Sequence, residues 1–121
     1  KGALMDLDSA IGAHGEWKVK LRHAIARKEK VDVATIAADH QCTLGKWLHG
    51  EARSKYGTLK SYTNCVHKHA EFHREAGKVA AAINAGQYSQ AEAMLAGGTA
   101  YAAASSAIGG AVLGLRKEAA I

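Results

Sequence analysis

Residues 58–85, TLKSYTNCVHKHAEFHREAGKVAAAINA, decide the fold. Leu59, Tyr62, Val66, His69, His73, Ala76, Ala80 and Ile83 recur in alternating steps of three and four, the seam of a long amphipathic helix. Two histidines occupy seam positions, so the pattern turns both imidazoles toward the packed side. Gly86 follows as the expected stop, because a left-handed residue that ends a helix is usually glycine.

Outward from this arm the same periodicity predicts three more. Leu4, Leu7, Ile11, His14, Leu21 and Ile25 form a seam from about Leu4 to Arg27, with Trp17 covering the step that Lys18 breaks. A short helix is expected around Thr35 to Ala38, with Asp32 or Thr35 as N-cap. Residues 39–57 read as a short helix bracketed by turns, since Gly45, Gly50 and Gly57 punctuate them. Ser89-Gln90-Ala91-Glu92 reads as a capping box opening a last helix that runs to about Ala119. Short connections favour antiparallel neighbours. The fold expected is all-α: an antiparallel up-and-down four-helix bundle with a short extra helix between the first and third arms.

The composition agrees. A chain of 121 residues has room for one domain, at about 150 residues per domain. Its 48% hydrophobic content with only 6% aromatic residues and no proline speaks against a loop-rich β architecture. Charged residues at 22% and this much apolar content exclude a disordered chain, and two cysteines exclude a disulfide-rich scaffold. Lys1 stands where an initiator Met would, with no signal-peptide pattern behind it, which suggests an excised or processed piece.

The net charge is +5, unevenly placed. Lys18, Lys20, Arg22, Arg27, Lys28 and Lys30 face only Glu16 and Glu29 over residues 16–30. Nucleic-acid binding would want such a stripe interleaved with aromatics, and only Trp17 is near, so a solvated helix face is the reading and no nucleic acid is expected. From Ala93 to Leu115 no residue is charged, a length that can span a bilayer. Ala, Gly and Ser dominate it, so a tightly packed helix is expected instead of a membrane span. Gly97, Gly98, Gly109, Gly110 and Gly114 would each cost about 1 kcal/mol inside a helix relative to Ala. Ser105 with Gly109, and Gly110 with Gly114, are spaced for close helix approach, either within the bundle or in a dimer contact.

Four groups carry the chemistry. His69 and His73 stand at i and i+4, one above the other, where two nitrogens can grip one metal ion. His14 is directed at the same core by its own seam. Buried histidine loses its charge and needs partners for both nitrogens, so three in a small core call for a shared ligand. Cys42 adds a soft donor, and one Cys with three His is a closed tetrahedral zinc set. Cys65 competes, four residues before His69 on the same arm, and His40 or His49 can serve as the fourth ligand instead. His23 and His67 fall off their seams and face solvent. Asp39, Glu71 and Glu75 are candidates to hold a ligand imidazole through its second nitrogen.

Taken together, Ala13-His14-Gly15-Glu16-Trp17-Lys18, Asp39-His40-Gln41-Cys42-Thr43-Leu44-Gly45-Lys46-Trp47-Leu48-His49-Gly50 and His69-Ala70-Glu71-Phe72-His73 resemble the bacterial chemoreceptor zinc-binding domain. The resemblance spans about residues 12–96, with 97–121 completing the last helix of a single domain, 1–121. It implies one Zn2+ per chain, held by His14, Cys42, His69 and His73, and so Cys42 rather than Cys65. It also implies a homodimer in the bacterial cytoplasm, attached to a chemoreceptor or a diguanylate cyclase whose output it regulates in chemotaxis or related signalling. Trp17 and Trp47 would pack beside the site and exclude water.

The function expected is a sensory module in which zinc occupancy, or oxidation of the zinc-bound Cys42, alters helix packing. Catalysis is not expected. A catalytic zinc usually keeps an open position, and neither an H-E-x-x-H pair, a di-iron carboxylate set nor a C-x-x-C-H is present. The alternative is a metal-independent helical dimerisation module whose histidines are incidental.

Overall fold

The computed structural model describes residues 7–39 and 42–121, with side chains from Ile11 onward. Leu4, the side chain of Leu7 and His40 lie outside these described residues. Within them the protein is helical and has no strand: α1 (Leu7–Arg27), α2 (Val33–Ala37), α3 (Thr43–His49), α4 (Glu51–Tyr56), α5 (Lys60–Asn84), α6 (Tyr88–Met94) and α7 (Ala100–Ala119).

The heptad of α5 puts Tyr62, His69, His73, Ala76, Ala80 and Ile83 in the interior, and Phe72 and Val79 widen the stripe. This broad buried face makes α5 the centre of the fold, with α7 as its main partner and α2 next. Phe72, Leu21, Leu44, Leu48, Ile83, Leu95 and Leu115 are the large side chains wholly out of water, each contributing about 1.5–3 kcal/mol by burial. The ends of α5 are pinned by polar contacts. The backbone N–H of Ser61 donates to Glu118 Oε1 at 3.0 Å, tying the start of α5 to the end of α7. Asn84 clamps the linker before α2, accepting from Val31 N–H at 2.8 Å and donating to Val31 C=O at 2.7 Å. Tyr62 donates to the Leu48 carbonyl at 2.6 Å and fixes the end of α3.

Gly86 ends the arm as expected, at φ +78°, with Gln87 N–H reaching back to the Ala82 carbonyl at 2.9 Å. Asp32 caps α2, accepting from Thr35 N–H at 3.2 Å.

Three expectations change. The stretch 39–57 holds two short helices, because Gly50 breaks the run between α3 and α4. The last arm is not continuous: Gly98 takes φ +81° and Thr99 caps a new helix, accepting from Ala102 N–H at 3.2 Å, so the uncharged stretch is split. The capping box at Ser89 is not made; Gln87 precedes α6 with no side-chain cap. No helix among the described residues is long and apolar enough to cross a membrane.

Of the two readings of the α7 glycines, the close approach within the bundle is not made. A Cβ on Gly109, Gly110 or Gly114 would meet nothing within 4 Å. The close approach lies elsewhere, at Gly77 on α5, where a Cβ would sit 2.8 Å from the Ala37 Cβ of α2. Gly77→Ala should therefore lower unfolding free energy by about 1–3 kcal/mol despite the better helix propensity of Ala, through overpacking against α2. The exposed Gly12→Ala in α1, where a Cβ likewise meets nothing within 4 Å, should raise it by about 0.5–1 kcal/mol. Denaturant titration of the two variants measures both signs.

Candidate metal centre

The pair on α5 comes first, since one helix sets its geometry. His69 and His73 are one turn apart, with 0% and 1% of their surface exposed, and their ring centroids are 4.6 Å apart. The Nδ1–H of His73 donates to the Ile36 carbonyl at 2.8 Å, one of the last carbonyls of α2 that no helical N–H reaches. That bond fixes the tautomer and leaves the Nε2 lone pair facing inward. Burial lowers the His73 pKa, partly opposed by this bond and by the charge of Asp39. Both rings are neutral: burial, reinforced by the nearby His73, His14 and His49, pushes His69 down to about 3.

Cys42 caps α3, its sulfur accepting from the Gly45 N–H at 3.3 Å. Burial raises its pKa against the lowering effect of the Gly45 and Leu44 N–H groups, so without a cation it stays a thiol. His14 enters from α1, buried, with its ring edge-on to His69 at 5.0 Å and to His73 at 5.6 Å. Phe72 packs against His14 at 5.1 Å and against His73 at 5.4 Å, closing the apolar side.

Three separate elements thus deliver four donors to one point. His69 Nε2 is 3.1 Å from Cys42 Sγ and 3.1 Å from His73 Nε2, and one donor atom from each of His14, Cys42, His69 and His73 lies within 4.8 Å of all the others. Donors around a tetrahedral zinc, with bonds of about 2.0–2.3 Å, are separated by about 3.3–3.7 Å. The cluster is within an ångström or so of that arrangement.

The donor set also fits a cation by the ring nitrogens and sulfur that it turns toward one another. His69 Nδ1 is buried without a hydrogen-bond partner. A neutral imidazole has one N–H, so a proton on Nε2 can serve only one of the two neighbours at 3.1 Å, and a proton on Nδ1 meets no acceptor. Either tautomer leaves a buried polar atom unmet, at about 1–3 kcal/mol. A cation at the centre takes the lone pairs that otherwise face one another.

The other candidates fall outside this cluster. Cys65 is in the apolar core on α5, its thiol pushed up to about 12 by burial. His49 is exposed and faces Asp39, with Nε2 3.4 Å from Oδ2; His23 and His67 face solvent, as their seams imply. Glu71 and Glu75 pair with Lys68 and Lys78 at 3.8 and 3.0 Å. Trp17 is partly buried beneath the Lys20 ammonium, 5.0 Å from the ring centroid, and Trp47 packs against Tyr56 at 6.3 Å. Sequence reasoning missed the Ile36 carbonyl, a backbone group that no side-chain pattern signals. It also missed the bridging position of Phe72, which the spacing His69-x-x-Phe72-His73 carried without revealing.

No curated protein and no solved structure matches the chain. The family model described as the chemoreceptor zinc-binding domain matches residues 14–80, more than half of its length. That match begins at His14 and contains Cys42, His69 and His73, the same four residues that the fold gathers at one point. The chain belongs to the chemoreceptor zinc-binding domain family.

Proposed function

We propose that this chain is the zinc-binding sensory or regulatory domain of a bacterial signal-transduction protein, with no catalytic activity of its own. The observation that carries the reading is the convergence of His14, Cys42, His69 and His73, buried or half-buried, from three elements onto one point. When bound, zinc would cross-link those elements and hold the Cys42 sulfur as thiolate.

The residues divide the work. His73 is oriented in advance by the Ile36 carbonyl, and His69 shares its face of α5. Phe72, with Trp17 and Trp47 farther out, keeps water from the rings. Asp39 places a negative charge near Cys42 and His73. Cys42 is the least buried donor and sits at the first turn of a seven-residue helix, so α3 is the element whose seat depends most on this one bond. Two-electron oxidation of the thiolate by a peroxide, with one oxygen passing to sulfur and water leaving, would break that bond and free α3 to shift.

In this reading residues 1–121 form one domain in which α1, the α3–α4 segment, α5 and the α6–α7 arm are the four arms of an up-and-down bundle. It acts in the cytoplasm as a homodimer attached to a chemoreceptor or a diguanylate cyclase. The face of α7 that carries Gly110, Gly114 and the half-exposed Leu113 suits a helix of a second copy.

Elemental mass spectrometry of protein purified with zinc should give one zinc per chain. At a hundred times its Kd, zinc should add about 2.7 kcal/mol to unfolding free energy, read as a rise in Tm that a chelator abolishes. A chain that takes up no zinc when saturated with it would instead be a metal-independent dimerisation module. Cys42→Ala should weaken zinc binding by more than the roughly 10–100-fold that loss of a supporting group costs, measured by competition with a chelating dye. An unchanged affinity would remove Cys42 from the ligand set.

A further inference from the structure

Asp39 and His49 lie outside the four-donor cluster, on the Cys42 side of it. His14, His69 and His73 are all exposed by 5% or less, whereas Cys42 is half-buried, so Cys42 is the donor nearest to solvent. The Cys42 sulfur lies 4.0 Å from the backbone carbonyl of Asp39 itself. The carboxylate of the same residue meets His49, Oδ2 to Nε2 at 3.4 Å, and the two side chains keep 27% and 39% exposure. Their proximity to the cluster is also electrostatic: Asp39 acts on Cys42 and His73, and His49 on His69.

A carboxylate oxygen and an imidazole nitrogen are both zinc donors, and at 3.4 Å their separation is that of two neighbours on one ion. With only two protein donors such a pair binds weakly and exchanges fast. The chain as a whole carries +5, which opposes the approach of a divalent cation. Asp39 contributes one carboxylate against it, in a pocket that it shares with Arg74 and Lys78.

We propose that Asp39 and His49 form an outer capture site through which zinc reaches Cys42 and the three histidines. The proposal rests on the zinc-binding reading above. Asp39 and His49 would hold the arriving ion first, and Cys42, giving up its thiol proton to solvent, would take it over together with the three imidazoles. A waypoint on this path is crossed in both directions, so its loss slows uptake and release together and leaves the equilibrium affinity in place. A group that merely supports the ligands would change affinity instead.

Stopped-flow mixing of the metal-free chain with zinc, and of the zinc-loaded chain with a chelating dye, tests this on Asp39→Asn, His49→Gln and the double variant. Glu51→Gln, which removes an exposed carboxylate elsewhere, is the charge-matched control. The expected result is uptake and release both slowed about tenfold or more in His49→Gln, the low end of what local charge does to association rates, at unchanged stoichiometry and affinity, with uptake by Asp39→Asn slowed at least as much and the control at wild-type rates. Weaker affinity with unchanged uptake overturns the proposal. So do unchanged rates, which would direct access to the cavity of about 140 Å³ between α1 and α7 beside His14, Ser105 and Gly109, where Gly109→Leu would slow exchange instead. A wild-type chain that takes up no zinc overturns the zinc-binding reading, and the capture site with it.

Discussion

Three imidazoles and a thiol share one interior, and the protein alone leaves one of them, His69, with a buried nitrogen unmet. His73 spends its Nδ1–H on the Ile36 carbonyl, His69 faces two neighbours with one proton to offer, and Cys42 takes the N–H at the start of α3. This constraint explains why the short helices are where they are. The α2 helix must end beside His73 to present its carbonyl, and it can come that close only because Gly77 on α5 has no Cβ. The α3 helix must begin at the cluster, since its N-cap is the sulfur donor. The long helices α1 and α5 then need only bring their seams together for His14 to complete the set.

The same constraint separates folding from binding. The apolar core around Leu21, Val79, Ile83, Leu95 and Leu115 is continuous and meets the four donors through Phe72, which packs on His14 and His73. The Asn84 and Glu118 clamps touch none of them. Losing a shared cation would therefore weaken the fold locally, at α2, α3 and the facing part of α1, and not dissolve it. Leu44, Leu48 and the Tyr62 bond hold the body of α3, and its first turn, seated on one sulfur, is the part that opens at lower free energy.

Much of this was legible in the residues. The heptad of 58–85 fixes which face of α5 is buried, and it places His69 and His73 correctly because a helix of that length admits one register. His14 follows from the first seam by the same logic. Cys42 did not follow from periodicity: a cysteine between turns has no face, and Cys65, on a seam-bearing helix, looked almost as good until the family resemblance was considered. The fold parts them by placing Cys65 against apolar side chains. The break at Gly98 is hidden because glycine inside an apolar run reads equally as a close approach or as a stop. Only the backbone conformation, φ +81° at Gly98, decides between them. The Ile36 carbonyl had no sequence signal at all.

The arm beyond the family match reaches the site by way of Phe72. Phe72 touches His14 and His73 on one side and Tyr101, at 5.5 Å, on the other, and Tyr101 lies in the first turn of α7. All four rings are buried, and a close-packed interior leaves no slack between neighbours of this size. A displacement of His14 or His73 on loss of their common partner must then be taken up by Phe72, and from Phe72 by Tyr101. The Tyr101 hydroxyl has no hydrogen-bond partner to hold it in place. Resistance to such a shift therefore comes from packing alone, and the half of the chain that the family motif does not describe is mechanically coupled to the half that it does.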